Sequence, residues 1–399
     1  MKYVQRRLMM RLVEPGGFFR ACGVLFCFLL SSAGAWAEDV PFLLKDINPA
    51  PGAGSMLTDY TEMAEYGGYV YFGADDGVNG KNLWRSDGTP EGTVPVKDTR
   101  LAVGGEFTIS GGLLYFFGND YSAWEKQVFR SDGTAAGTFA LNDGVYANRY
   151  INPKYLSAFD GKVFFTARDA AGHGYELWSS DGTGDGTRMV IDLNPGEADS
   201  MPNRSLEMNG FIYFVASLVE NQWMLWRSDG TAEGTTLVSE KGHSPQALLG
   251  NEFFFQRYEE DTRRELWKSD GTSAGTVLVK DINQQTDDFL AGNSNPANFA
   301  VAGGWVYFQA TDGIHGTELW KTDGTESGTV MVKDIDPRSP ATLFQGNGLP
   351  QSLTAARDKL YFVANDGVHG QELWVTDGTE PRTIMLTDTD ELGVDAPQD

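Results

Sequence analysis

Cysteine is nearly absent. The chain of 399 residues has two, Cys22 and Cys27, and both lie in its first 37 residues. That opening stretch reads as an export signal and is set aside from fold reasoning. Lys2, Arg6, Arg7, Arg11 and Arg20 make a basic start, and Ala21 to Leu30 is an apolar run too short to span a bilayer as a helix. Ala35-Trp36-Ala37 forms a small-residue cleavage site, so cleavage is expected after Ala37. Arg6-Arg7 offers a twin-arginine signal as the alternative, although no Ser or Thr precedes the pair and Met9 stands where Phe is usual. Neither cysteine sits in a lipobox. Residues 38–399 then carry no thiol, which excludes disulfides, a thiolate nucleophile and cysteine metal ligands. Export without disulfides fits a bacterial envelope or secreted protein: periplasmic, cell-surface or extracellular.

Basic residues are also scarce. Removing residues 1–37 takes away five cationic residues and one acid, leaving a net charge of −28. That opposes nucleic acid, whose phosphates need clustered Lys and Arg, and it opposes anionic lipid. It suits solubility, divalent cations and cationic partners. No later stretch reaches 18 apolar residues, so no transmembrane segment is expected in the mature chain. No window sustains a 3.6-residue apolar period, so helix content should be very low.

What the chain has is aromatics, glycine and repetition. Aromatics are 12% and glycine is 48 residues, a mixture that suits strands joined by tight turns. Asp-Gly-Thr recurs with Asp at 87, 132, 181, 229, 270, 323 and 377, always after Ser or Thr, at spacings of 45, 49, 48, 41, 53 and 54 residues. Around each anchor stand four short apolar runs bounded by turn residues, which predicts four strands, A to D in chain order. In the sixth copy, strand B is Trp305 to Ala310, strand C is Glu318 to Lys321, and strand D is Thr329 to Ile335.

Strand B is apolar at both parities. Val306 and Phe308 point one way, Trp305 and Tyr307 the other, so both faces need cover. Packing each sheet between two neighbours provides it. The expected fold is all-β: a seven-bladed β-propeller of four-stranded antiparallel blades in one domain, 38–399. An open β-solenoid is the rival, but its rungs are shorter and more constant. The run Pro41 to Pro49 resembles strand D of the fifth and sixth copies. The last copy has a damaged D region, Glu380-Pro381-Arg382-Thr383, without the usual Gly before Thr. An N-terminal strand is therefore expected to close the ring in the last blade.

The repeated polar groups are read first as structure. Asp87, Asp132, Asp181, Asp229, Asp270, Asp323 and Asp377 are expected to bond across the C–D turn, with a metal loop as the alternative. Trp84, Trp178, Trp226, Trp267, Trp320 and Trp374 share one strand-C position and are expected in the core between blades, with sugar stacking as the alternative. Trp124 and Trp223 break the pattern and suit an exposed contact. His173, His315 and His369 share a B–C loop position, while His243 lies elsewhere; a turn role is favoured over a metal set. The B–C and D–A loops should share one face. They gather Asp75, Asp76, Asp169, Asp312 and Asp366 with Asp46, Asp192, Asp281 and Asp334. Such oxygen-rich loops leave Ca2+ open, although none has an EF-hand or nonapeptide pattern.

The run Glu-Leu-Trp-x-x-Asp-Gly-Thr is intact at 176–183, 265–272, 318–325 and 372–379. It resembles the bacterial ELWxxDGT-repeat family across essentially the whole mature chain. The other copies depart at Asn82, at Gln127 and Phe129, and at Met224. The resemblance implies exported proteins with propeller-like repeats and supplies no catalytic residue. The expected function is an exported, non-enzymatic binding or scaffold protein with no catalytic residue or resident cofactor, taking a protein or glycan partner. The alternative is a propeller enzyme acting on polysaccharide, a glycosidase or lyase. An enzyme should break the repeat with clustered non-repeated polar residues. Two breaks stand out, Arg257 to Arg264 (RYEEDTRR) and Asp287 to Asn295, neither with a recognisable acid/base pair.

Overall fold

The computed structural model describes residues 43–386 apart from 50–54, 56–61, 98–100, 104–105, 121–125, 142–149, 220–221, 243, 286–291 and 339–345. The export signal, Trp124, His243 and residues 287–291 lie outside the described residues. Seven antiparallel sheets follow one another along the chain, each with its strands hydrogen-bonded in the order A, B, C, D. In blade two the A position is split into Leu101–Val103 and Thr108–Ser110, both paired with strand B. The fold is an all-β propeller of seven blades.

Blade six illustrates the unit, with strands Ala297–Ala302, Trp305–Thr311, Thr317–Thr322 and Val330–Lys333. Phe308 stands opposite Trp320, which stands opposite Met331. Both faces of the sheet are covered, as the double apolar parity requires. Val306, Phe308 and Trp320 pack against Phe254, Leu266 and Val279 of blade five. Tyr307, Leu319 and Val332 pack against Leu353, Phe362 and Trp374 of blade seven. Burying such a side chain contributes about 1.5–3 kcal/mol. The strand-C tryptophans all join these clusters; Trp84, Trp178, Trp320 and Trp374 are buried, Trp226 and Trp267 partly so.

The N-terminal segment docks on blade one. Lys45 Nζ donates to the Thr93 carbonyl at 2.7 Å, as the strand-D lysines Lys97, Lys280 and Lys333 donate to Thr138, Thr329 and Thr383 of the blade that follows each. Ile47 packs with Phe72, Ala74 and Trp84, the place that Ile282 takes against blade six. Residues 45–48 thus sit on blade one as the end of a preceding strand D. This corrects the expected closure by an N-terminal strand in the last blade: strand D of blade seven is Ile384–Met385, from the C-terminal side.

Candidate functional site

The C–D turns form one end of the ring, and all seven are built alike. In blade five, Asp270 Oδ1 accepts the backbone N–H and the hydroxyl of Thr272, at 2.9 and 2.7 Å. Thr272 Oγ1 in turn accepts the Gly275 N–H at 2.9 Å. Ser269 and Thr276 join hydroxyls beneath the turn at 2.8 Å. The same Asp-to-Thr pair recurs at Asp87, Asp132, Asp181, Asp229, Asp323 and Asp377. The Thr hydroxyl, followed by backbone N–H donation, holds Asp270 below the usual carboxylate range. A Cβ added to Gly275 would lie 2.0 Å from Asp270 Oδ1, so glycine is required for close approach. Blade seven has Arg382 there; its chain turns as a 3-10 helix, Glu380–Arg382, and Arg382 reaches Asp377 at 3.1 Å.

The opposite end carries the B–C loops and D–A crossovers, which touch between neighbours. A Cβ on Gly313 would meet Asn283 of blade five, and one on Gly367 would meet Arg338 of blade six. Beneath this face lies a device missed at the level of sequence. The motif glutamates are buried and hold the crossovers. Glu265 accepts the backbone N–H of Ile282 at 2.9 Å and of Ser294 at 3.1 Å, with the Ser294 hydroxyl at 2.6 Å. Glu176 does the same for Leu193 and Ser200, and Glu318 for Ile335 and Gly348. Burial outweighs these donors and pushes Glu176 and Glu265 up to about 7 and Glu318 up to about 8. The available signal was a charged residue kept in four copies of an otherwise apolar strand.

Three B–C loops share a tight geometry. Asp312 Oδ1 accepts the N–H groups of Ile314 and His315, both at 2.9 Å, while Oδ2 lies 2.7 Å from His315 Nδ1. Asp366 and His369 repeat this, and Asp169 pairs with His173 at 2.6 Å. The hydrogen bond to its carboxylate raises the pKa of His173 and of His315. The three histidines therefore sit in separate blades, each bonded to its own loop. Asp75 and Asp76 likewise accept N–H groups of their own loop, and Asp192 accepts the Gly196 N–H. Burial raises Asp281 and Asp334, and Asp46 is exposed. Among the described residues no three His, Cys, Asp or Glu side chains group to hold a metal ion.

Two further features stand out on this face. Val78, Ile314 and Val368, at one loop position in blades one, six and seven, are 82%, 54% and 76% exposed. Each is fixed there by its Asp, so an aliphatic group is held out into water. The second is the boundary of blades four and five. Residues 257–264 form an extended hairpin, with Tyr258 opposite Arg264 and Glu259 opposite Arg263. Glu259 bonds to Lys241 and Arg257, each at 2.5 Å, and the Arg257 guanidinium lies 4.3 Å from the Trp267 ring centre. Burial works against the charge of Glu259, but these two cations keep its pKa lowered. Arg263 reaches the Tyr258 hydroxyl at 3.2 Å. Trp223 and Tyr258 stand exposed beside this network. Non-repeated polar and aromatic side chains thus gather at one place.

No family model matches the sequence, and no curated protein matches it. Solved structures are similar in fold. Puromycin hydrolase matches at 16% identity over 84% of this chain and 53% of its own, with a TM-score of 0.45. A prolyl endopeptidase structure matches at 12% over 82% and 49%, with a TM-score of 0.48. The β-propeller domain of the Trilobed protease from Pyrococcus furiosus, described as having an open velcro topology, matches at 12% over 83% and 99%, with a TM-score of 0.44. The chain spans about half the length of the first two. Likeness at this identity shows the fold alone.

These findings correct the expected function. The expectation was an exported, non-enzymatic binding or scaffold protein, with a polysaccharide glycosidase or lyase as the alternative; the solved propellers similar in fold are instead those of peptidases, a class that neither reading included. The physical reason is that a propeller is a rigid mount for loops and can be one part of an enzyme. The expected absence of enzymatic activity rested on a resemblance that supplies no catalytic residue and on breaks in the repeat without an acid/base pair, of which residues 257–264 are one. Among the described residues no helix is long and apolar enough to cross a membrane.

Proposed function

We propose that this chain is the exported, polypeptide-recognising propeller of an enzyme that processes peptides, and that it binds its ligand on the B–C/D–A face. Export is supported by the basic start and the Ala35-Trp36-Ala37 site. The observation that carries the reading is the set of rigidly presented aliphatic tips, Val78, Ile314 and Val368. Exposed aliphatic groups suit the apolar side chains of a polypeptide; sugars are gripped by flat aromatic faces. Trp223, Tyr258 and Arg263 add the residue types that dominate protein interfaces. Ions of both signs around Glu259 suit a ligand with a mixed polar backbone. The peptidase activities named above are those proteins' own; for this chain the reading stands on the loop face.

The test is a peptide array probed in parallel with a glycan array. Retention of apolar peptides is expected, weakened about tenfold by Ile314→Asn with Val368→Asn, a loss of about 1.4 kcal/mol. Binding confined to glycans, or peptide binding indifferent to these changes, would overturn the proposal.

A further inference from the structure

Six blade contacts obey one rule, and the seventh does not. In each of the six, an aromatic on strand B of one blade lies over the C–D turn glycine of the next. A Cβ on Gly133 would meet Tyr71, one on Gly182 Tyr115, one on Gly230 Phe164, one on Gly271 Tyr213, one on Gly324 Phe254 and one on Gly378 Tyr307. Gly88 of blade one, the place for Tyr361 of blade seven, has nothing within 4 Å among the described residues. Cations bridge the same junction elsewhere: Arg85 donates to the Gly133 carbonyl and Lys321 to that of Gly378, both at 2.8 Å. Blade seven has Val375 at this position.

The apolar face of blade seven agrees. Leu373 is 40% exposed, whereas its counterparts Leu83, Val128, Leu177, Leu225, Leu266 and Leu319 are at most 4% exposed. Leu386 is 44% exposed, whereas its counterparts Val96, Leu141, Val238, Val279 and Val332 are all buried. Each inter-blade cluster joins two consecutive blades, and none among the described residues joins blade seven to blade one.

We propose that the boundary between blade seven and blade one is an openable seam, the one joint at which the ring parts and recloses. The occupant of the Leu373/Leu386 face is blade one of the same chain, with residues 43–49 docked on it. The six sealed contacts define this fit, because in blades one to six the corresponding face packs against the blade that follows. Intramolecular closure is also favoured over a second copy, since both halves are tethered in one chain. Among the described residues the Leu373/Leu386 face is left unsealed, and Val375 stands where Arg85 and Lys321 reach the next blade, so closure gains less here than at those joints.

Spin labels measure it. In the chain carrying Cys22→Ser and Cys27→Ser, one pair is placed at Glu91→Cys and Glu380→Cys across the seam. A control pair is placed at Glu326→Cys and Glu380→Cys, across blades six and seven. The control should give one narrow distance. The seam pair should give two populations, the shorter matching the control, and Leu373→Asp should move it wholly to the longer without changing the control. A single narrow population at the control distance would overturn the proposal. So would a single long distance indifferent to Leu373→Asp. Populations that shift with dilution would assign the face to a second copy and overturn it equally.

Discussion

The two ends of the propeller are made on opposite principles. At the C–D end, seven turns repeat one hydrogen-bond network, and only blade seven varies it, at Arg382. At the B–C/D–A end, loop length, sequence and charge differ from blade to blade, and exposed aliphatic and aromatic side chains accumulate. The difference separates what holds the blades from what the molecule presents. A network found seven times serves something that every blade needs, which is its own folding. A feature found once or three times serves something that the ring does as a whole. The two ends meet in the buried glutamates, which are repeated like the turns but lie beneath the variable loops.

That contrast can be broken at four points. The largest effect is expected at Glu265. Replacing it with Ala strands the buried Ile282 and Ser294 donors and should cost roughly 3–5 kcal/mol in urea unfolding. Because it underlies the D–A crossover, it should also weaken ligand binding, which no C–D turn variant should do. Next is Gly275→Ala, whose Cβ collides with the Asp270 carboxylate. Overpacking of this kind should cost about 1–3 kcal/mol, again by urea unfolding, with ligand affinity unchanged.

The third point is pH. Glu176, Glu265 and Glu318 are raised in the folded chain, so between roughly pH 5 and 8 the native state holds protons that the unfolded chain has released. Stability should therefore fall as pH rises through this window, and Glu318→Gln should flatten the slope. The turn aspartates act in the opposite sense. Their lowered values mean that their contribution is present above about pH 4 and is lost in acid. Melting temperature followed from pH 3 to 9 should show both limbs. The smallest stability effect belongs to Trp223→Ala. An exposed side chain away from the core should change unfolding by less than about 0.5 kcal/mol while lowering ligand affinity about tenfold. Those two numbers in one variant are the sharpest form of the contrast.

Much of the architecture is legible in the sequence. The Asp-Gly-Thr spacing counted the blades, and the double apolar parity of strand B required neighbours on both faces. Both signals are local and repeated, so a single chain states them seven times. The turn geometry was legible for the same reason, since Asp, Gly and Thr bond within six residues of one another. What escaped were contacts between distant residues. Glu265 reaches Ser294 across 29 positions, and nothing in strand C announces that partner. Gly88 and the exposed Leu373 look in sequence like their buried counterparts; what distinguishes them is that no neighbour covers them among the described residues. The candidate site was half legible. Trp223 and residues 257–264 stood out as breaks in the repeat, whereas Val78, Ile314 and Val368 looked like ordinary turn residues until their exposure was seen.

Hydrogen exchange of the chain with and without an array-selected peptide tests the division of labour most directly. Protection should map to the loops around Trp223, Tyr258, Ile314 and Val368, with the seven C–D turns unchanged. A footprint centred on the Asp-Gly-Thr turns would contradict the account.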